Sequence, residues 1–467
     1  QPFGDESLVF DLTYFNVDSD SNPFGLVSNE TGDLFDRIQV VDVDDEYPFD
    51  FEQFGLEAQW QINDHWSFTS ITGYNEIDIA QRFDGDISAF DFLSVVANID
   101  EEIFSQELRL TYDIDDFSVL VGAYYSDGDF GFGFSGSGLF PDPITGDFVP
   151  FSTITDNIEV ITQQAIFSKV HWDITDDWHL DFGVRLNREE RDTDNFADNN
   201  GAVSDLSASE TFSTVIPSFA VTYDLNSSTS VGVSYARGVQ AGGIAFAVFL
   251  GQSQPYDEEY TDNYEAFVRY SSEDGEFMVN ANVFYVDWTD QQVTTTPAGG
   301  FPGFDDLVEN AGESSIRGIE VEVEWQATPA LMTFVSLALN KTEFEAFVLN
   351  GVDFSGTRFP QSPKSNFALG FIYQGNSGFY ASSTFSYVDS TFTDLQAPQD
   401  TEISSRSLLS ARVGYEWEDW QFYVWGENLL DDEYELGLFD GSAFGLNSAY
   451  GRLGEPRILG IGVDVSW

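Results

Sequence analysis

Three histidines, His65, His171 and His179, are the only imidazoles in a chain of 467 residues that has no cysteine. Without cysteine there is no thiolate metal site, no cysteine nucleophile and no disulfide framework. Serine-type hydrolysis needs an imidazole held between a hydroxyl and a carboxylate. Each histidine instead stands next to a turn and close to Trp66, Trp172 or Trp178, a setting that favours a structural place at an interface. No catalytic residue is assigned and no cofactor is expected. Asp18, Asp20 and Asn22, and Asp198, Asn199 and Asn200 before Gly201, supply hard oxygen atoms like fragments of a calcium loop. Neither has the closing bidentate Glu, so ordinary Asx-rich turns are the simpler reading and no metal ligand is assigned. Arg82, Arg109, Arg185, Arg188, Arg191, Arg269, Arg317 and Arg412 fall within or at the ends of the expected strands. Pairing with inward acids such as Asp181 is expected of them, with contact to a ligand as the alternative. Phe130, Phe132, Phe134, Phe140, Phe246, Phe249, Phe301 and Phe304 interleave mostly with small residues in connecting segments. They suit either a gripping surface for a ligand or packing among themselves that closes a mouth.

The element that must position such groups is clearest at the C-terminus. From Arg457 to Trp467 the chain alternates without a break: Arg457, Leu459, Ile461, Val463, Val465 and Trp467 share one face, and Ile458, Gly460, Gly462, Asp464 and Ser466 the other. Successive strand side chains face opposite ways, so this is a strand with one apolar face and one small or polar face. Such a strand suits a wall between lipid and a watery lumen. The same alternation recurs in Trp178, Leu180, Phe182, Val184 and Leu186 against His179, Asp181, Gly183, Arg185 and Asn187.

Short turns are expected at 63–64, 115–116, 175–177, 226–229, 273–275, 327–330, 375–377 and 418–419. Between them lie long Asp/Gly/Pro/Ser-rich segments at about 19–50, 84–101, 129–159, 192–210, 246–259, 294–311, 345–362, 390–404 and 429–456. Short periplasmic turns alternating with long extracellular loops are the habit of outer-membrane barrels. One rising strand from Leu8 to Asp18, eight turn-linked pairs and a final descending strand make about eighteen. The fold expected is all-β, a transmembrane antiparallel barrel over 1–467. Several segments exceed the roughly 9–11 residues that cross a bilayer, so strands should continue above the membrane.

Composition agrees: 45 Phe, 20 Tyr, 10 Trp and 40 Gly favour strands, girdles and turns. No window approaches the roughly 18 apolar residues of a spanning helix. A formal charge of −64, from 81 acidic against 17 basic residues, argues against nucleic acid as a partner. It suits a solvated acidic surface in salty water, or one facing divalent-bridged lipopolysaccharide. Gln1-Pro2-Phe3 lacks the features of an export signal.

Asn428-Leu429-Leu430-Asp431-Asp432-Glu433-Tyr434, then Gly454-Glu455-Pro456-Arg457 and the terminal strand, resembles the C-terminal signature of TonB-dependent outer-membrane receptors. Ser234 to Gly238 with Ala241-Gly242-Gly243, and Gly312 to Glu320, resemble mid-barrel stretches of that family. The motif positions are Asn428, Leu429, Asp431, Tyr434, Gly454, Pro456, Arg457 and Trp467. The resemblance implies a barrel of about 22 strands around a plug, of which this sequence would hold about eighteen strands and neither plug nor TonB-contacting box. It implies uptake of a bulky scarce nutrient, most plausibly a ferric siderophore or other iron complex. Vitamin B12, haem, oligosaccharide or a passive porin are the alternatives. Implied partners are outer-membrane lipid and lipopolysaccharide, the barrel-assembly machinery through the C-terminal strand, TonB through a plug outside this sequence, and a small-molecule ligand. An enzyme is not expected, and the location implied is the outer membrane of a Gram-negative cell. Two unpaired edges in lipid would leave an eighteen-strand piece unstable unless it closes.

Overall fold

The computed structural model describes residues 8–19, 27–28, 33–37, 42–43, 45–85, 93–141, 148–300, 305–349, 351–439 and 450–466. Eighteen strands form one sheet. In chain order they are β1 (Leu8–Ser19), β2 (Phe49–Gln61), β3 (Trp66–Asp84), β4 (Ser94–Ile114), β5 (Phe117–Pro141) and β6 (Phe148–Thr175). Next come β7 (Trp178–Asn199), β8 (Ala202–Asn226), β9 (Thr229–Gln240), β10 (Glu259–Ser271), β11 (Phe277–Thr295) and β12 (Leu307–Thr328). The last are β13 (Leu331–Ala346), β14 (Ser365–Gln374), β15 (Phe379–Val388), β16 (Arg406–Trp417), β17 (Trp420–Glu427) and β18 (Ile458–Val465). Each strand pairs antiparallel with the next, from β1 with β2 to β17 with β18. Every strand from β2 to β17 therefore has both edges taken. Among the described residues no register joins β18 to β1, which leaves a seam. No described helix is long and apolar enough to cross a membrane.

All eight expected turns fall between paired strands. Local chemistry closes them. Asn63 Oδ1 accepts from the His65 and Trp66 amides at 3.0 and 3.2 Å, and Asn226 Oδ1 accepts from the Ser228 amide at 2.9 Å. Between β10 and β11, Asp274 accepts from the Ser272 hydroxyl at 2.6 Å and the Glu276 amide at 3.1 Å. The Ser272 hydroxyl bond, and then the amide, hold the Asp274 carboxyl below its ordinary range. This turn is thus best held above the ordinary Asp range and loosens as pH falls through the lowered value.

One face of the sheet carries the apolar rows. Leu459, Ile461 and Val463 on β18 are 68, 85 and 54% exposed, a surface that only lipid makes inexpensive. The row ends in a tryptophan girdle beside the short turns: Trp60, Trp66, Trp172, Trp178, Trp325, Trp417 and Trp420 are all exposed.

Two segments expected as loops, 129–159 and 192–210, prove to be mostly strand. β5 and β6 pair continuously from Phe117 with Trp172 to Pro141 with Phe148, and β7 turns into β8 at Asn200 and Gly201. At ~3.3 Å per residue, the 28 residues of β6 reach about 90 Å, far beyond a bilayer. Away from lipid no apolar row is required, so polarity conceals the strand. The Asp198 to Gly201 stretch is a turn: Gly201 N donates to Asp198 Oδ1 at 2.7 Å and Ser152 N to Asn200 Oδ1 at 2.8 Å. Asp20, Asn22, Phe301, Phe304 and Trp467 lie outside the described residues.

Candidate functional site

The inner wall is built from the polar and small face of the same strands. On it a glycine repeatedly faces an aromatic ring directly across the register: Gly122 and Phe167, Gly232 and Phe267, Gly318 and Phe284, Gly370 and Phe334, Gly414 and Tyr380, Gly460 and Trp425, Gly462 and Tyr423. In each pair the ring occupies the space where a Cβ would stand, so it lies flat over the neighbouring strand instead of crossing the lumen. Arg412 stacks on this paving, its guanidinium 3.6 Å from the Tyr423 centroid and 3.5 Å from Asp464 Oδ2.

The expected arginine pairing holds only in part. Arg109 binds Glu107, and Arg191 binds Glu189 at 2.7 Å and Glu159 at 3.4 Å. Arg185 does not reach Asp181; it lies over the Tyr124 and Phe167 rings at 5.2 and 5.8 Å. Strand parity sets Arg188 and Arg317 on the outer face, in line with Leu186 and Ile319. There Arg188, Arg237, Lys341 and Arg457 pair with Glu190, Asp262, Glu343 and Asp431. A chain poor in cations has therefore placed several at the upper rim of its apolar band.

Asp181 is taken by a chain of imidazoles and carboxylates at the short-turn end of the inner wall. Asp181 Oδ1 lies 3.1 Å from His171 Nδ1, and Asp173 Oδ1 lies 3.1 Å from His171 Nε2. The same Asp173 oxygen touches His179 Nδ1, and His179 Nε2 is 3.1 Å from Asp224 Oδ2. Asp224 in turn accepts from the Ser230 hydroxyl at 2.6 Å. The two rings are parallel within 8° at a centroid distance of 6.4 Å. The register explains the meeting, since β6 and β7 set His171 against Asp181 and Asp173 against His179. Sequence reading put each histidine beside its turn but not beside the other. The signal was the matched pairs His171-x-Asp173 and His179-x-Asp181 on either side of one turn. His65 stands apart, its Nδ1 3.1 Å from the Asp113 carbonyl oxygen.

At the long-loop end, two apolar clusters pin connecting segments to the wall. One gathers Leu93, Val95, Ala97, Phe134 and Val248 with Phe132 and Phe249 against it; the other gathers Val293, Ala311, Phe344, Phe347, Leu349, Phe359, Phe392 and Leu395. Phe132, Phe134 and Phe249 thus pack with each other. Buried Asp305 ties the segment at Phe249 and Leu250 down, Oδ1 accepting from their amides at 2.7 and 3.0 Å. Asp305→Ala should cost about 2 kcal/mol locally, or ~30-fold faster amide exchange over 247–256, with the wall strands unchanged. Unaltered exchange there would refute this anchoring. Burial pushes the Tyr256 phenol above its ordinary value, with Arg191 pulling the other way.

The C-terminal motif forms a clasp. Asn428 is buried at a left-handed φ of 46°; its Nδ2 donates to the Asp432 and Glu455 carbonyls at 2.8 and 3.0 Å, and its Oδ1 accepts from the Asp432 amide at 2.9 Å. Leu429 N donates to Leu409 O at 2.8 Å, and Arg457 Nη2 meets Asp431 Oδ2 at 2.9 Å. Gly454 N donates to Tyr434 O at 2.9 Å, with the Tyr434 ring where a Cβ would be, while Arg37 donates to the Gly454 carbonyl. Pro456, between these two, precedes β18. The clasp binds β16, β17 and β18 to one another.

A family profile described as "TonB dependent receptor-like, beta-barrel" matches residues 3–429. The pesticin receptor of Yersinia enterocolitica is 24% identical over 181 residues, which is 38% of this chain and 26% of that protein. The crystal structure of the ferric yersiniabactin uptake receptor FyuA from Yersinia pestis superposes with a TM-score of 0.76 at 19% identity, covering 91% of this chain and 62% of that one. The siderophore receptor PiuA from Acinetobacter baumannii superposes at 0.74 with 15% identity, covering 99% and 72%. The chain thus spans about a quarter of that curated relative and under two thirds of FyuA.

Proposed function

Because the chain belongs to the TonB-dependent receptor-like β-barrel family, whose members work in the outer membrane of Gram-negative bacteria as transport receptors, we propose that it walls a receptor importing a ferric siderophore or similar bulky iron complex. The observation that carries this reading is the two-faced wall: an apolar belt of Leu, Ile and Val outside, and a paved polar bore inside. Siderophore receptors with the same fold support the substrate class. An acidic chain of charge −64 favours neutral or cationic complexes over strongly anionic ones.

The seam between β1 and β18 is filled, in this proposal, by about four further strands from the same polypeptide, as a barrel of about 22 requires. TonB engages a plug that also lies outside this sequence. The outer rim of Arg188, Arg317, Lys341 and Arg457 takes lipopolysaccharide phosphates, and the C-terminal strand with Trp467 addresses the barrel-assembly machinery. Arg317→Glu with Lys341→Glu should strip co-purifying lipopolysaccharide at least several-fold; unchanged content would remove this contact.

The uptake test is saturable accumulation of radiolabelled ferric complexes by cells carrying the full-length protein, with and without functional TonB. Accumulation that depends on TonB is expected. Steady ion conductance by the reconstituted protein together with TonB-independent uptake would instead establish a passive pore.

A further inference from the structure

We propose that His171, Asp173 and His179 bind one divalent transition-metal ion of the zinc type on the inner wall, at the end opposite the long loops. One ligand atom from each lies within 4.8 Å of the others, and His171 Nε2, at 3.1 Å, and His179 Nδ1 both face Asp173 Oδ1. The outer nitrogens are already claimed, because His171 Nδ1 faces Asp181 and His179 Nε2 faces Asp224, both at 3.1 Å. A carboxylate only accepts, and a neutral imidazole carries a single N–H. With each ring giving its hydrogen to the outer carboxylate, as a metal ligand does, a bare lone pair turns toward Asp173. Two nitrogen lone pairs and a carboxylate oxygen then converge with nothing to share. Two extra protons or one dication must stand between them, and a single zinc-type ion supplies both charges at once.

The surroundings agree with the second choice. Two imidazoles and one carboxylate are the donor set of open zinc sites, and a carboxylate behind each imidazole fixes tautomer and ring direction as in carboxylate–histidine–zinc arrangements. Asp224 is itself oriented by Ser230. Side chains of His171, Asp173 and His179 are 43, 31 and 25% exposed, leaving room for water as a further ligand from the lumen. Trp172 and Trp178 face the other way and shield the site from lipid. Imidazole nitrogen selects against calcium and magnesium, which an acidic surface would otherwise collect.

The test is equilibrium binding of Zn²⁺, and the visible spectrum of Co²⁺, with the full-length protein in detergent under excess magnesium. One ion per chain is expected, with a low-coordinate Co²⁺ band. His171→Gln with His179→Gln should weaken binding by about 100-fold or more, while His65→Gln leaves it unchanged. Asp181→Asn and Asp224→Asn keep all three ligands, so they test the site even if the double variant misfolds; each should cost about 10–100-fold. Absence of a magnesium-resistant ion would overturn the proposal. Equal binding by wild type and the Asp181 and Asp224 variants would overturn it as well.

Discussion

Asn428→Ala is expected to lower the stability of the folded barrel by about 4 kcal/mol, close to a thousandfold in the folded-to-unfolded ratio. Three hydrogen bonds vanish, each worth about 1 kcal/mol net, and the part-buried carbonyls of Asp432 and Glu455 lose a donor. Alanine at a left-handed φ of 46° adds about 1 kcal/mol, because only Gly and, to a lesser degree, Asn and Asp adopt that region readily. Asn428→Gly separates the two causes: it frees the backbone without restoring the bonds, so it should recover only about 1 kcal/mol. Urea titration in lipid vesicles, read by the mobility difference between heated and unheated samples, measures both. A loss below 1 kcal/mol for the alanine variant would show that the clasp does not hold the last strands.

Substitutions at the paving glycines should divide into two kinds. At Gly122 the nearest atoms to an added Cβ all belong to the Phe167 ring, so Gly122→Ala should cost about 2–3 kcal/mol and be largely restored by Phe167→Ala. At Gly318 the added Cβ also meets the Leu339 carbonyl oxygen at 2.6 Å. Backbone held in a ladder cannot swing aside, so Gly318→Ala should cost at least as much, and Phe284→Ala should not rescue it. The readout is the coupling energy of each double-mutant cycle under the same urea titration. Equal rescue at both positions would mean that the ladder yields more easily than this geometry implies.

The sequence revealed whatever lipid constrains. Every second residue in contact with hydrocarbon must be apolar, so the strands from Trp178 or Arg457 could be counted, and the polar turns between them located. The tall hairpins escaped because the segments above the membrane have water on both sides. Phe130 to Phe134 alternates Phe with Gly and forms part of β5, yet its glycine content reads as loop. The motif from Asn428 to Arg457 was visible as a resemblance, but its work as a clasp depends on bonds between residues 27 positions apart, such as Asn428 to Glu455. The His171 and His179 site required the β6 and β7 register, and Asp224 required a third strand that no local pattern announces.

The hairpins of β4 to β8 stand mainly on the backbone ladder, helped by the patch around Phe134 and by a few side-chain bonds such as Arg191 to Glu159 and Asn199 to the Phe249 carbonyl. Their outline is set by peptide groups that every sequence possesses, so their side chains can drift one by one without penalty to folding. A partner that grips these upper walls is expected to meet a surface that can change within a few mutations. The paved bore below has no such freedom, because there a single added methyl group is already too much.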